Sequence, residues 1–107
     1  MAINVIQGVQ QTGGQFNEMW LVTNTACDFA NAAVGSGTFA SVDNAVPGVA
    51  LGDMVIGVSA GVDTVDAVIW GAVTAANVVT LTLMNNSAGA VDLASTTVKF
   101  IVGRPAW

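Results

Sequence analysis

Few side chains in this sequence could perform acid–base or nucleophilic chemistry. The chain has no histidine and no tyrosine, and Glu18 is its only glutamate. A serine or cysteine nucleophile would lack an imidazole partner, and a zinc site built from cysteine and histidine cannot form around the single Cys27. The carboxylates of Asp63 and Asp66, close together in the sequence, remain as the main candidates.

Asp63 and Asp66 allow three interpretations. They could form a glycosidase-like pair, alone or with Glu18. They could instead cap backbone amides in a turn, the common role of aspartates between strands. A calcium site is the third option, although the Asp-x-Asp-x-Asp-Gly ligand pattern is absent. We expect the turn role, and therefore no catalytic residue, no metal and no cofactor. Cys27 is expected to be a small buried apolar residue.

The charge balance excludes two classes of partner. The net charge is −5, and Lys99 and Arg104 are the only basic residues. Nucleic-acid binding requires several Lys and Arg contacts to phosphates, and adhesion to an anionic membrane surface requires a cluster of basic residues. We therefore expect neither a nucleic-acid nor a membrane partner. The sequence also shows no membrane-spanning run and no export signal.

The expected surface is unusually neutral. Charged residues make up 8% of the chain, against a typical value of about 25%. Soluble monomers generally use more charge than this to resist association. The composition favours a surface partly covered by copies of the chain or by another protein. The alternative is a monomer that tolerates a neutral surface.

Alternating apolar residues predict β-strands. Val79, Leu81 and Leu83 would share one face of a strand over residues 77–85, and a second strand with the same alternation covers 96–102. Additional strands are predicted at 18–25 and 37–42, and less clearly at 3–9 in a flexible arm. Residues 25–34 could form a short helix after Asp28 or a strand over 27–32, and we favour the strand.

Two further segments, 54–58 and 67–73, are continuously apolar. Such runs are typical of strands that are buried on both faces, and we expect Trp70 to lie in the core. Trp20 could be buried or exposed.

Turn residues separate these strands at intervals of roughly ten residues, which indicates a sandwich or barrel. We predict one all-β domain, an antiparallel β-sandwich or jelly roll of about seven to eight short strands. The domain would cover residues 17–102, between an N-terminal arm over 1–16 and a C-terminal tail over 103–107.

The second half of the chain resembles a module of tailed-bacteriophage virion proteins. The matching segments are VPGVALGDMV (46–55), WGAVTAANVVTLTLMN (70–85) and SAGAVDLASTTVKFIV (87–102). They fit a PG-x-x-x-GD turn before one strand, a V-[ST]-A-x-N-x-V-T-[LV] approach to the next, and an N-x-[ST]-A-x-x-[VI]-D turn. Asn77 is expected to take a left-handed backbone angle at the tight corner.

The resemblance implies a structural role. Similar modules are β-sandwiches or jelly rolls that assemble as trimers on virions. The shortness of the chain and the absence of a fibrous repeat favour a capsid decoration (cement) protein. Its expected partners are the major capsid protein and copies of itself in a trimer. Its expected location is the capsid surface of the virion, after synthesis in the host cytoplasm.

Candidate interface residues are drawn from the two chain ends and their surroundings: Phe16, Trp20, Arg104 and Trp107. The main alternative is a receptor- or glycan-binding module of a tail fibre or spike, which predicts exposed aromatic side chains beside Asn and Asp in a groove. A hydrolase that uses Asp63, Asp66 and Glu18 is the third hypothesis.

Overall fold

The computed structural model of the chain describes residues 3–8, 16–29, 39–62, 67–85 and 95–106. Within these ranges the chain forms seven β-strands and no helix. The strands are β1 (Ile3–Gly8), β2 (Phe16–Cys27), β3 (Phe39–Ala45), β4 (Met54–Ala60), β5 (Ala67–Ala75), β6 (Val78–Asn85) and β7 (Thr96–Pro105).

The strands form two antiparallel sheets. The larger sheet has the order β1-β2-β7-β4, and the smaller sheet has the order β3-β6-β5. The inward side chains of both sheets belong to one hydrophobic core. The protein is therefore an all-β antiparallel sandwich, which confirms the predicted fold class.

Alternation along the strands builds this core. Val79, Leu81 and Leu83 of β6 are all fully buried, as the sequence pattern predicts. Val98 and Phe100 of β7 face them from the other sheet, together with Trp20 of β2. Full burial of a Val, Leu or Phe side chain stabilises the folded state by about 1.5–3 kcal/mol, so these inward rows supply the main driving force for folding.

A polar contact also crosses the core. Asn24 of β2 and Asn44 of β3 are both fully buried. The side-chain amide of Asn24 donates to Oδ1 of Asn44 at 2.8 Å, which joins one sheet to the other. The remaining polar atoms find backbone partners: Asn44 donates to the carbonyls of Val42 and Val79, and Asn24 accepts from the amide of Ala26.

Asn77 holds the corner between β5 and β6 against a neighbouring loop. Its φ angle is +64°, which confirms the predicted left-handed conformation. Its backbone N–H donates to the carbonyl of Val49, its carbonyl accepts from Val46, and its side-chain oxygen accepts from Gly48. One residue thus fixes the loop that precedes β4.

The prediction that the strands at 54–58 and 67–73 are buried on both faces is wrong. Met54 and Ile56 of β4 are 45% and 48% exposed, and Val68 and Trp70 of β5 are 49% and 42% exposed. The physical reason is the two-layer architecture, in which the described elements cover only the inner face of each sheet. Trp70 consequently lies outside the core.

Some boundaries differ from the expected ones. Strand β2 continues to Cys27, and β7 continues to Pro105, which lies inside the range assigned to the tail. Strand β1 lies inside the range assigned to the arm and pairs with β2 over its whole length. Residues 30–34 of the ambiguous segment lie outside the described ranges.

Candidate interaction surface

A row of aliphatic side chains crosses the outer face of the four-stranded sheet. Ile6 of β1 pairs with Leu21 of β2, Leu21 pairs with Ile101 of β7, and Ile101 pairs with Gly57 of β4. Directly paired residues project to the same side of a sheet, so the side chains of Ile6, Leu21 and Ile101 are contiguous. A bulge between Val55 and Gly57 brings Ile56 to the end of this row.

A second apolar row lies beside the first. Met19 of β2 pairs with Gly103 of β7, and Gly103 pairs with Met54 of β4. Gly103 leaves room for large neighbours, because a Cβ at this position would lie 2.8 Å from Cδ1 of Phe16 and 2.9 Å from Cδ1 of Ile56. We call the combined surface the outer apolar face, and it consists of Ile6, Phe16, Met19, Leu21, Met54, Ile56 and Ile101.

The outer apolar face is both exposed and concave. Ile6 is 62% exposed and Leu21 is 47% exposed, values far above those of the core. A groove of about 490 Å³ lies over the first row of the face and is lined by Ile6, Leu21, Ile56 and Ile101. Contiguous exposed apolar surface on a sheet is typical of a protein interaction site, whereas isolated exposed apolar residues are normal.

The groove is almost free of charge. Among the described residues that line it, Lys99 is the only ionised side chain, and it lies at the margin with Thr23 and Ser59. These three residues pair in register across β2, β7 and β4. The face is therefore an apolar surface with one polar border, on a chain whose net charge is −5.

Arg104 and Trp20, two of the predicted interface residues, lie together at one end of the sandwich. The guanidinium of Arg104 stacks over the Trp20 ring, 5.2 Å from its centroid. The same guanidinium donates to both carboxylate oxygens of Asp53, at 3.0 and 2.9 Å, and to the carbonyl of Gly48. Glu18 lies 3.7 Å from it.

This arrangement corrects the prediction for Trp20. The side chain is 0% exposed, so its ring offers no surface to a neighbouring subunit. The guanidinium of Arg104 contacts Asp53, Gly48 and Glu18 of the same chain. Phe16 lies on the outer apolar face, and Trp107 lies outside the described residues. An interface role for Phe16 and Arg104 remains a prediction.

The ion pair between Arg104 and Asp53 shifts the pKa of both residues. Burial alone would raise the pKa of Asp53, but hydrogen bonds from Arg104 and the Ala50 amide, with the positive charge of Arg104, outweigh it and hold that pKa below its usual value. The hydrogen bond and charge of Asp53 raise the pKa of Arg104. Both groups are ionised at neutral pH, so this cluster ties β7 to the loop before β4.

The candidate groups for chemistry are not brought together in the described part of the chain. Asp63 and Asp66 lie outside the described ranges. No three acidic, cysteine or histidine side chains of the described residues lie close enough to hold a metal ion. Within the same ranges there is no helix with the length and hydrophobicity of a membrane span.

Cys27 is buried and carries no disulfide, as predicted for a small apolar core residue. Burial, with a smaller contribution from the negative charge of Asp28, raises the pKa of the thiol to about 11. The thiol is therefore protonated at neutral pH and is a poor nucleophile.

The outer apolar face was not among the predicted interface residues, apart from Phe16. The sequence did contain a signal for this face. Two strands carry apolar triplets, Trp20-Leu21-Val22 and Phe100-Ile101-Val102, and the first and third residue of each triplet are buried. In a two-layer sandwich the middle residue of such a triplet must face outward.

Comparison of the chain with known protein families, curated proteins and solved structures finds no match.

Proposed function

We propose that this protein is a structural component of a virus particle, a capsid decoration protein that binds the assembled shell through its outer apolar face. The observation that carries the proposal is the uncharged row formed by Ile6, Leu21 and Ile101, in which Ile6 and Leu21 are exposed and Ile101 is half-buried. In this proposal the chain performs no catalysis.

The energetics favour a contact that is repeated many times. About half of each exposed side chain on the face remains to be buried, which is worth roughly 1 kcal/mol per side chain. The four exposed side chains of the face give roughly 4 kcal/mol in total; they are Ile6, Leu21, Met54 and Ile56. This total is close to the lower limit of the entropic cost of association. One copy would therefore bind weakly, whereas a trimer that engages several shell subunits would bind tightly.

Electrostatics favour a different protein over a second copy as the occupant of this face. A second copy joined face to face would present no carboxylate to Lys99, since no acidic side chain of the described residues lines the groove. A shell subunit with an apolar patch and an acidic group opposite Lys99 would match both the face and its border. The proposed trimer would then form through other surfaces of the chain. The trimer itself is supported by the resemblance of residues 46–102 to virion modules.

The proposed mechanism is stabilisation by mass action. A protein that binds only the assembled shell lowers the free energy of that state and leaves free shell subunits unaffected. The virion assignment itself is supported by the same resemblance, which carries turn and strand residues and no catalytic groups.

The experiment compares two matched charge substitutions in co-sedimentation with shells of the major capsid protein. Leu21→Glu places a carboxylate in the centre of the outer apolar face. Leu51→Glu makes the same change at a leucine that is 71% exposed in the loop before β4 and is not one of the residues of the face. Both positions are exposed, so both variants should fold, and thermal unfolding monitors this.

We expect wild-type protein and Leu51→Glu to sediment with shells and to raise the temperature at which the shells dissociate. Leu21→Glu should bind about tenfold more weakly or worse, since the lost burial and the desolvated carboxylate together exceed about 1.4 kcal/mol. Equal binding of the two variants would contradict the assignment of the face. Failure of the wild-type protein to sediment with shells would contradict the function.

A further inference from the structure

The outer face of the three-stranded sheet has a different chemistry from the outer apolar face. Trp70 of β5 pairs with Thr82 of β6, and Thr82 pairs with Ser41 of β3. The next row contains Ala72, Thr80 and Asp43 in the same strand order. An indole ring that is 42% exposed therefore stands beside two rows of hydroxyl and carboxylate groups.

The hydroxyl groups of this face are joined in a chain with a fixed direction. Thr80 Oγ1 donates its proton to Oδ1 of Asp43 at 2.7 Å. A hydroxyl has only one proton, so in the 2.8 Å contact between Thr74 and Thr80 the donor must be Thr74. The order of donation is Thr74 to Thr80 to Asp43. A separate contact of 3.1 Å joins Ser41 and Thr82.

This direction determines what the face can bind. Thr74 and Thr80 have both used their protons within the chain of hydrogen bonds, so they and Asp43 offer a ligand mainly acceptor oxygens. A ligand that binds these three residues must supply O–H or N–H donors, whereas the Ser41–Thr82 contact uses only one of its two hydroxyl protons. Anionic groups are disfavoured, because Asp43 is an acid and both basic side chains of the protein, Lys99 and Arg104, lie on β7 of the other sheet.

We propose that this face is a binding site for uncharged carbohydrate, with Trp70 as the stacking platform. A pyranose ring has an apolar C–H face that suits an exposed indole and hydroxyl donors at its edge that suit acceptor oxygens. Trp70 and Asp43 stand on strands separated by two strand spacings, roughly 10 Å, so the ligand must extend beyond one ring.

The hydroxyl chain beside Trp70 is the feature that separates this face from an ordinary protein contact. Phe39, Met84 and Val68 form an apolar row at one end of the sheet, and a protein partner would centre there. The ordered hydroxyl chain begins on the other side of Trp70 and contributes little to an apolar contact. The two surfaces would serve different partners, so this proposal does not depend on shell binding.

The test is titration of the full chain with neutral oligosaccharides, using maltohexaose, cellohexaose and N-acetylchitohexaose as probes and a heparin hexasaccharide as the acidic comparison. Binding is measured by calorimetry and by tryptophan fluorescence. The variants are Trp70→Ala and Thr80→Val, which breaks the hydrogen-bond chain without a large change in shape. Val68→Ala, on the same strand and the same face, is the matched control.

We expect at least one neutral probe to bind and the heparin probe not to bind. Trp70→Ala should weaken binding tenfold or more, Thr80→Val several-fold, and Val68→Ala less than twofold. The proposal is overturned if no neutral probe binds at millimolar concentration, if Trp70→Ala binds as well as the wild type, or if Val68→Ala weakens binding as much as Trp70→Ala. Loss of sugar binding with unchanged shell binding would separate this site from the proposed capsid contact.

Discussion

The side chains of Asn24 and Asn44 meet in the middle of the sandwich, where the amide of one donates to the oxygen of the other at 2.8 Å and neither is exposed to solvent. This contact joins strands from two different sheets. Apolar contacts have no required orientation, whereas a buried amide pair has one geometry in which its polar atoms are satisfied. The pair therefore fixes the register of the two layers relative to each other.

Removal of either asparagine should be costly. Asn44→Ala leaves the Asn24 amide buried without its partner, and we expect it to lower the free energy of unfolding by about 2 kcal/mol. Asn24→Ala should cost a similar amount, and the double variant should cost clearly less than the sum because the two changes remove the same contact. Urea denaturation measures all three values. Asn17→Ala, at an exposed asparagine of β2, is the control and should have little effect. Additive losses would show that the pair is not coupled.

The ion pair between Arg104 and Asp53 should make part of the stability sensitive to acid. Because the pKa of Asp53 in the folded protein is below its unfolded value, the stabilising contribution is complete above about pH 4 and is lost as the pH falls through the folded pKa. We expect Asp53→Asn to lower the free energy of unfolding by about 1 kcal/mol at pH 7, since Arg104 is about one-third exposed.

The difference between Asp53→Asn and wild type should shrink towards pH 3, measured by denaturant unfolding across this range. Arg104→Met should reduce this pH-dependent component, because the carboxylate would then lose its main partner and keep only the Ala50 amide. A difference that stays constant from pH 7 to pH 3 would contradict the assigned ion pair.

The Cys27 thiol should resist modification. With a pKa of about 11 and a buried position, it should react with a disulfide reagent at pH 8 far more slowly in the folded protein than in denaturant. The measured rate should follow the population of unfolded or opened molecules. Rapid stoichiometric labelling of the native chain would show that the end of β2 is open to solvent.

A side chain at Gly71 should be unfavourable, because this position lies where the two sheets approach each other. A Cβ at this position would lie 2.9 Å from Cδ2 of Leu81 and 3.0 Å from Cγ1 of Val55, a residue of the opposite sheet. We expect Gly71→Ala to destabilise the fold by about 1–3 kcal/mol. Gly57→Ala is the matched control, because nothing lies within 4 Å of its added Cβ. Thermal unfolding should separate the two, and equal midpoints would argue against the close approach.

The sequence predicted the fold class and most strand positions because alternation is a local property. The shared face of Val79, Leu81 and Leu83 can be predicted from that strand alone. Asn77 likewise predicts a tight corner from its residue type and its position between two strands. The exposure of Trp70 could not be predicted in this way. Its apolar neighbours suggest burial, and only the number of layers in the sandwich decides that its side of β5 faces outward.

Most residues of the interaction surfaces could not be predicted from the sequence, because these surfaces also depend on the architecture of the sandwich. Ile6, Leu21 and Ile101 come from three distant segments, and their common row depends on strand order and register. The cluster of Trp20 and Arg104 was anticipated as a pair of separate contacts, whereas the structure shows them bound to each other. The link between Asn24 and Asn44 has no local signal, because asparagine in a strand is usually exposed.

The most direct test of the central claim is the oxidation of methionine in free and shell-bound protein, followed by peptide mass spectrometry. Met54 lies on the outer apolar face and is 45% exposed, while Met84 lies on the outer face of the other sheet. Peroxide converts accessible methionine to its sulfoxide, so the rate reports coverage of each face. We predict that shell binding slows the oxidation of Met54 and leaves Met84 unchanged. Oxidation of Met54 at the same rate in free and bound protein would contradict the claim that this face contacts the shell.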